Sequence, residues 1–237
     1  MTFIQYLQQV DFPFVVHLMR GITHLGDEVF YILVLPIAYW CWRKDAAVPL
    51  ALLLISTLVL NVVLKEYWSI LRPNESIRLI EATGFSFPSG HAQAPMVLWG
   101  YIAWMTKSYR WPALIIFLIG ISRVYLGVHF IQDVIAGWLI GFTTLYLGIQ
   151  IQKRIEFRKI QFEPIPMALI CGFLGVLIPT VFYHELTVKG GGLMAGALSG
   201  LFSGKILGKF SHVDDSLEAD CKSYNWDGGS RGTLFRI

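Results

Sequence analysis

Seven apolar runs, separated by polar or charged segments of which 66–90 is the longest, organise the chain from residue 27 to residue 208. They occupy about 27–43, 47–65, 91–106, 112–127, 131–151, 167–184 and 191–208, each near the roughly 17–25 residues an α-helix needs to cross hydrocarbon. Ahead of them, Met1 to Gly26 mixes Gln, Asp11, His17 and Arg20 with its apolar positions. This segment lacks the basic start and unbroken apolar core of a signal peptide and reads as an amphipathic helix lying at a membrane interface. From residue 210 onward Asp, Ser, Gly and Lys appear without apolar period, the pattern of a solvated, disordered tail. The expected fold is all-α: a polytopic transmembrane bundle of about six to seven spans with an N-terminal amphipathic interfacial helix. Its parts are the interfacial segment 1–26, a transmembrane core 27–152, two additional spans within 153–209, and the tail 210–237.

Composition agrees with a membrane protein: 55% of residues are hydrophobic and 15% charged, with mean hydropathy +0.57. The net charge of +3 is spread along the chain, without the basic block that nucleic-acid binding requires. Cys41, Cys171 and Cys221 lie far apart and show no metal-ligand spacing. The last run carries Gly192, Gly196, Gly200, Gly204 and Gly208 at a four-residue period, which lays a smooth strip along one helix face. The strip packs either on the span at 167–184 or on a second copy in a homodimer, the former being the simpler arrangement.

Charge also orients the spans. If they alternate, Arg43 and Lys44, Lys107 and Arg110, the group Lys153, Arg154, Arg158 and Lys159, and Lys205 and Lys209 share one side, which the positive-inside rule makes cytoplasmic. The opposite side holds Arg20, Lys65, Arg72, Arg78, Arg123 and Lys189. Three of these belong to polar clusters that the same alternation brings to one membrane face, and such residues are retained near hydrocarbon mainly for function.

Lys65 and Arg72 are seven apart, so on a continuing helix they point the same way and can grip one anion, with Pro73 as the stop. Phe87-Pro88-Ser89-Gly90-His91 precedes a helix beginning at Ala92. Ser89 is placed as an N-cap, the free N–H groups of a helix start suit phosphate oxygens, Gly90 lets the backbone approach a ligand, and His91 adds an acid/base group. His129 and Asp133, four apart at a helix start, can pair so that one imidazole nitrogen is held and the other is left as a nucleophile. Arg123 can fold back over a phosphate with a bidentate grip. Taken singly, each cluster has a plainer reading: snorkelling cations, an ordinary cap, a mutually satisfied His/Asp pair.

Together, Lys65 through Arg72-Pro73, Pro88-Ser89-Gly90-His91, and Ser122-Arg123 with His129 and Asp133 resemble, in order and spacing, the three signature motifs of the type 2 phosphatidic acid phosphatase superfamily. The resemblance covers about 65–133. It implies a phosphatase without metal or cofactor that cleaves a lipid phosphate or diphosphate through a phosphohistidine, on the extracytoplasmic side of the plasma (inner) membrane. His129 would attack phosphorus, Asp133 would orient it, and His91 would protonate the leaving oxygen and later activate water. Lys65, Arg72, Ser89, Gly90 and Arg123 would hold the phosphoryl oxygens. A phosphate-binding membrane protein or lipid transporter is the alternative, but it needs only the cations. Asn61, His17, His24 and His184 read as local hydrogen-bonding residues, and the loop 74–87 is placed to gate or read the headgroup.

Overall fold

The computed structural model describes residues 3–9, 13–42 and 44–158. The expected spans at 167–184 and 191–208, the glycine strip and the polar tail lie outside the described residues. Within them the chain is helical without strands: α1 (Phe3–Leu7), α2 (Pro13–His24), α3 (Glu28–Ile37) continuing into a π-helical turn (Ala38–Trp42), α4 (Lys44–Trp68), α5 (Gly90–Thr106), α6 (Arg110–Tyr125) and α7 (Ile131–Arg158). Two of these, over Ala46–Trp68 and Ile131–Arg154, are long and apolar enough to cross a membrane.

α5 lies at the centre, packed on α7, α6 and α4. Its Val97, Leu98 and Tyr101 are buried with Leu50 and Leu54 of α4, Tyr31 of α3 and Leu145 of α7. The approach of α7 to α5 depends on small residues: a Cβ at Gly137 would lie 2.6 Å from the Ser89 carbonyl, and one at Gly141 2.5 Å from that of Gln93. This contact sets the first turn of α7 beside the start of α5. The outer faces remain apolar, with Ile135, Leu139, Phe142 and Tyr146 of α7 and Val29, Ile32 and Leu33 of α3 exposed, as a lipid-facing belt would be.

Two details differ from the sequence reading. The N-terminal segment is two helices, with Pro13 opening the second, where its missing N–H costs nothing. Ile4 is buried against Val124 and Val134, while Val15, Val16 and Met19 pack beside Tyr125, Leu126 and Val128. The second difference corrects the helical register proposed for Lys65 and Arg72. α4 ends at Trp68, where Ser69 turns left-handed (φ 49); its N–H donates to Lys65 O at 2.8 Å and its hydroxyl to Glu66 O at 2.7 Å. Pro73 is therefore not the stop. Arg72 stands on a non-helical segment and reaches its partners by folding back, a direction that helical spacing could not supply.

Candidate active site

The site forms at one end of the bundle, where α4 ends, α5 and α7 begin, and α6 hands over to α7. Its floor is a buried polar network. Asn61 donates to the Pro88 carbonyl (3.2 Å) and to Gln93 Oε1 (2.8 Å), and Gln93 Nε2 donates to the carbonyl and hydroxyl of Thr57 (2.9 Å each). In a dry interior such groups are costly unless paired, so the network fixes the Pro88–His91 turn on α4. Gly90 serves this packing: a Cβ there would meet Asn61 Oδ1 at 2.9 Å. The close approach that requires glycine is thus made to Asn61.

His129 is 1% exposed and Asp133 fully buried. Arg72 NH1 lies 3.1 Å from His129 Nε2, and because guanidinium only donates, Nε2 must carry its lone pair. The proton then sits on Nδ1, which faces Asp133 Oδ2 at 3.5 Å and the Ser86 hydroxyl at 3.4 Å. Ser86 in turn donates to Asp133 Oδ2, which also accepts from Phe130 N at 2.8 Å. Burial first, then the positive charges of Arg123, Arg72 and Lys65, hold the His129 pKa well below the ordinary histidine value. The imidazole is neutral, with its Nε2 lone pair facing Arg72.

Arg72 is anchored from behind: Nε donates to Thr83 O and Gly84 O (3.1 Å each) and NH1 also to Val128 O (3.0 Å). Burial and the nearby Arg78 lower its pKa to about 10, so it stays charged at neutral pH. Arg123, 5% exposed, donates from NH1 to Thr23 Oγ1 of α2 at 2.9 Å. Lys65, in the last turn of α4, acts electrostatically on His129 and His91.

Ser89 occupies the N-cap position of α5, but its side chain makes no capping bond. Its N–H donates to Asp133 O at 3.0 Å, and its buried hydroxyl has no partner. Arg123 Nε and Asp133 Oδ1 are likewise buried and unpaired. Orphaned groups of this kind are rare and leave these atoms available to a further hydrogen-bond partner. Two of them, the Ser89 hydroxyl and Arg123 Nε, are donors suited to anionic oxygens, and the first-turn N–H groups of Gly90 and His91 add to them.

Two contributors were not legible in the sequence. Ser86 meets Asp133 across 47 positions, and Asp27, at the start of α3, accepts from His91 Nε2 at 2.6 Å across 64 positions. Neither belongs to a local pattern. Beside the site an apolar groove of about 370 Å³ is lined by Phe3, Ile4, Pro73, Ile77, Phe130 and Ile131 among others; Pro73 follows Arg72, and Phe130 follows His129.

The PAP2 superfamily matches residues 46–157, a stretch that contains every position from Lys65 to Asp133. The chain is 35% identical over 164 residues to phosphatidylglycerophosphatase B of Bacillus subtilis, covering 62% of this chain and 80% of that protein. It is 32% identical over 154 residues to an undecaprenyl-diphosphatase of Sulfolobus acidocaldarius, covering 61% and 74%. The crystal structure of a transmembrane PAP2 type phosphatidylglycerolphosphate phosphatase from Bacillus subtilis matches with a TM-score of 0.56 at 30% identity, over 64% of this chain and 83% of that one.

Proposed function

The chain belongs to the PAP2 superfamily, and on that premise we propose that it is a membrane lipid phosphate phosphatase working through a phosphohistidine at His129. The observation that carries this reading is the state of His129: neutral, with its Nε2 lone pair turned to Arg72 and the positive charges of Arg123, Arg72 and Lys65 acting on it. An anion-binding or transport protein needs the cations but has no use for a nucleophile oriented from its other nitrogen.

On entry the phosphoryl group draws Arg72 from Nε2 onto its own oxygens, which frees the lone pair. Arg123, Lys65, the Ser89 hydroxyl and the first-turn N–H groups of α5 take the remaining oxygens, where phosphoryl transfer needs its charge stabilised. His129 Nε2 attacks in line; the P–N bond forms as the P–O bond to the lipid breaks. Asp133, helped by Ser86, balances the positive imidazole that results. His91 gives its proton to the departing oxygen and then takes one from the water that cleaves the P–N bond, returning the electron pair to Nε2. Lys65, Arg72 and Arg123 supply the positive charge that a metal brings elsewhere and would repel a dication from the same space.

The mostly apolar groove lined by Pro73 and Phe130, the residues that follow Arg72 and His129, suits the hydrocarbon chain of a lipid. The relatives named for phosphatidylglycerophosphate and undecaprenyl diphosphate act on lipids that end in phosphate, and the substrate belongs to that class. The site faces the extracytoplasmic side of the plasma (inner) membrane in a bundle of six to seven spans. Support comes from Lys107, Arg110, Lys153 and Arg154, which stand at the ends of α5, α6 and α7 opposite the site. Phosphate release from detergent-solubilised phosphatidylglycerol phosphate should persist in EDTA and vanish in His129→Ala. Equal turnover by that variant would sink the assignment.

A further inference from the structure

Asp27 lies outside the stretch matched by the PAP2 superfamily, yet its carboxylate enters the site. It occupies the N-cap position of α3, where Asp usually bonds a first-turn N–H, but its side chain makes no such bond. Instead Oδ1 accepts from His91 Nε2 at 2.6 Å and Oδ2 meets His24 Nδ1. The connection that carries it is itself pinned: Tyr31 OH donates to Gly26 O at 3.0 Å, and Thr23, 5% exposed, receives Arg123. The hydrogen bond from His91 is the largest of the influences that lower the Asp27 pKa to about 2. Asp27 is therefore an anion at neutral pH.

We propose that Asp27 is a positioning residue for the reaction: its carboxylate holds His91 by Nε2, so that Nδ1 is the nitrogen that passes the proton to and from the lipid oxygen. This rests on His91 being the general acid. The charged and titratable groups acting on His91 are Lys65 from α4, Arg123 from α6, His129 from the α6–α7 connection, and Asp27 with His24 behind it. Burial first, then Arg123 and Lys65, disfavour an imidazolium there, and Asp27 supplies the opposing hydrogen bond and negative charge. In the first half-reaction imidazolium Nδ1–H protonates the alkoxide as the P–O bond breaks, leaving neutral His91 with its proton on Nε2, shared with Asp27. In the second, Nδ1 takes a proton from the attacking water while the P–N bond breaks. The site would thus hold two oriented histidines, His129 aligned by Asp133 and Ser86 and His91 aligned by Asp27, with the second orienting group supplied by the N-terminal segment.

Asp27→Asn keeps the size of the side chain and removes its charge. The test compares phosphatidylglycerol phosphate, whose alkoxide needs a proton, with p-nitrophenyl phosphate, whose nitrophenolate does not. Relative to wild type, kcat/KM, which reports the steps through P–O cleavage and not the later hydrolysis in which His91 acts for both substrates, should fall roughly 10- to 100-fold on the lipid, within the range a general acid contributes, and less than about threefold on the aryl ester. Because the two substrates share one preparation, the ratio of losses is independent of how much variant folds. Equal losses on both substrates would overturn the role of Asp27 while leaving the phosphatase intact. Wild-type lipid turnover by His129→Ala would instead remove the reading on which the inference rests.

Discussion

Replacing Gly127 with alanine tests how the connection between α6 and α7 places His129. Gly127 has φ +71, and an added Cβ would lie 2.2 Å from the Ile77 carbonyl oxygen and 3.2 Å from Arg78 Cα. The left-handed backbone alone costs an L-residue about 1–2 kcal/mol. Because the clashing atoms are backbone, relief requires about 1 Å of movement between residues 77–79 and the turn. That movement strains the Leu79 N→Leu126 O bond (3.0 Å) and the bonds of Gln8 Nε2 to Ile77 O and Tyr125 O (2.9 Å each), worth about 1 kcal/mol apiece. The expected destabilisation is roughly 3–5 kcal/mol. Since the same turn carries Val128 and His129, a shift of that size should also lower kcat about 100-fold. Thermal unfolding in detergent measures the first effect and phosphate release by the surviving enzyme the second. Gly84→Ala separates the terms: φ is +68 but nothing lies within 4 Å of its Cβ, so only the backbone cost of about 1–2 kcal/mol should appear. If Gly127→Ala were no more destabilising than Gly84→Ala and retained wild-type kcat, the close packing of loop 77–79 on the α6–α7 turn would be refuted.

Ser86→Ala removes the hydroxyl that links Asp133 to His129; kcat should fall roughly tenfold with KM unchanged, since the loss falls on the charge that develops during attack. Asn61→Leu strands Gln93 Oε1 and the Pro88 carbonyl in a dry core and should destabilise the fold by about 3 kcal/mol, read as a lower unfolding midpoint. Because the folded His129 pKa lies well below the ordinary value, its nucleophilic form persists on the acid side. After correction for the substrate's second ionisation near pH ~6, kcat/KM should show no acid limb at the ordinary histidine value of about 6.5. The linked stability effect has the same sign: the contribution is complete above the unfolded pKa and is lost as pH falls below it, because only the unfolded chain then takes the proton.

The helical core and the candidate site positions were legible because they rest on local regularities. Apolar runs of spanning length mark α4 and α7, and the spacing of Pro88-Ser89-Gly90-His91 before an apolar run marks the start of α5. What the sequence could not show is how separated elements meet. Arg72 looked like the helical companion of Lys65, but Ser69 turns the chain out of the helix first, and the guanidinium finds His129 through the fold. Ser89 looked like a cap, yet its hydroxyl is left unpaired inside the site. Asp27 and Ser86 carry no spacing signal because their partners lie on distant helices. Asn61, read as making local bonds, joins α4 to α5.

The central claim is that phosphorus passes through His129. Wild-type enzyme turning over lipid labelled with ³²P at its terminal phosphate, quenched in alkali within a single turnover, should carry label on histidine that survives base and is lost in acid, as a phosphoramidate is. His129→Ala should carry none, and a brief chase with unlabelled lipid should clear the wild-type label. Release of phosphate at the wild-type rate with no such label, or the same label in His129→Ala, would contradict the account.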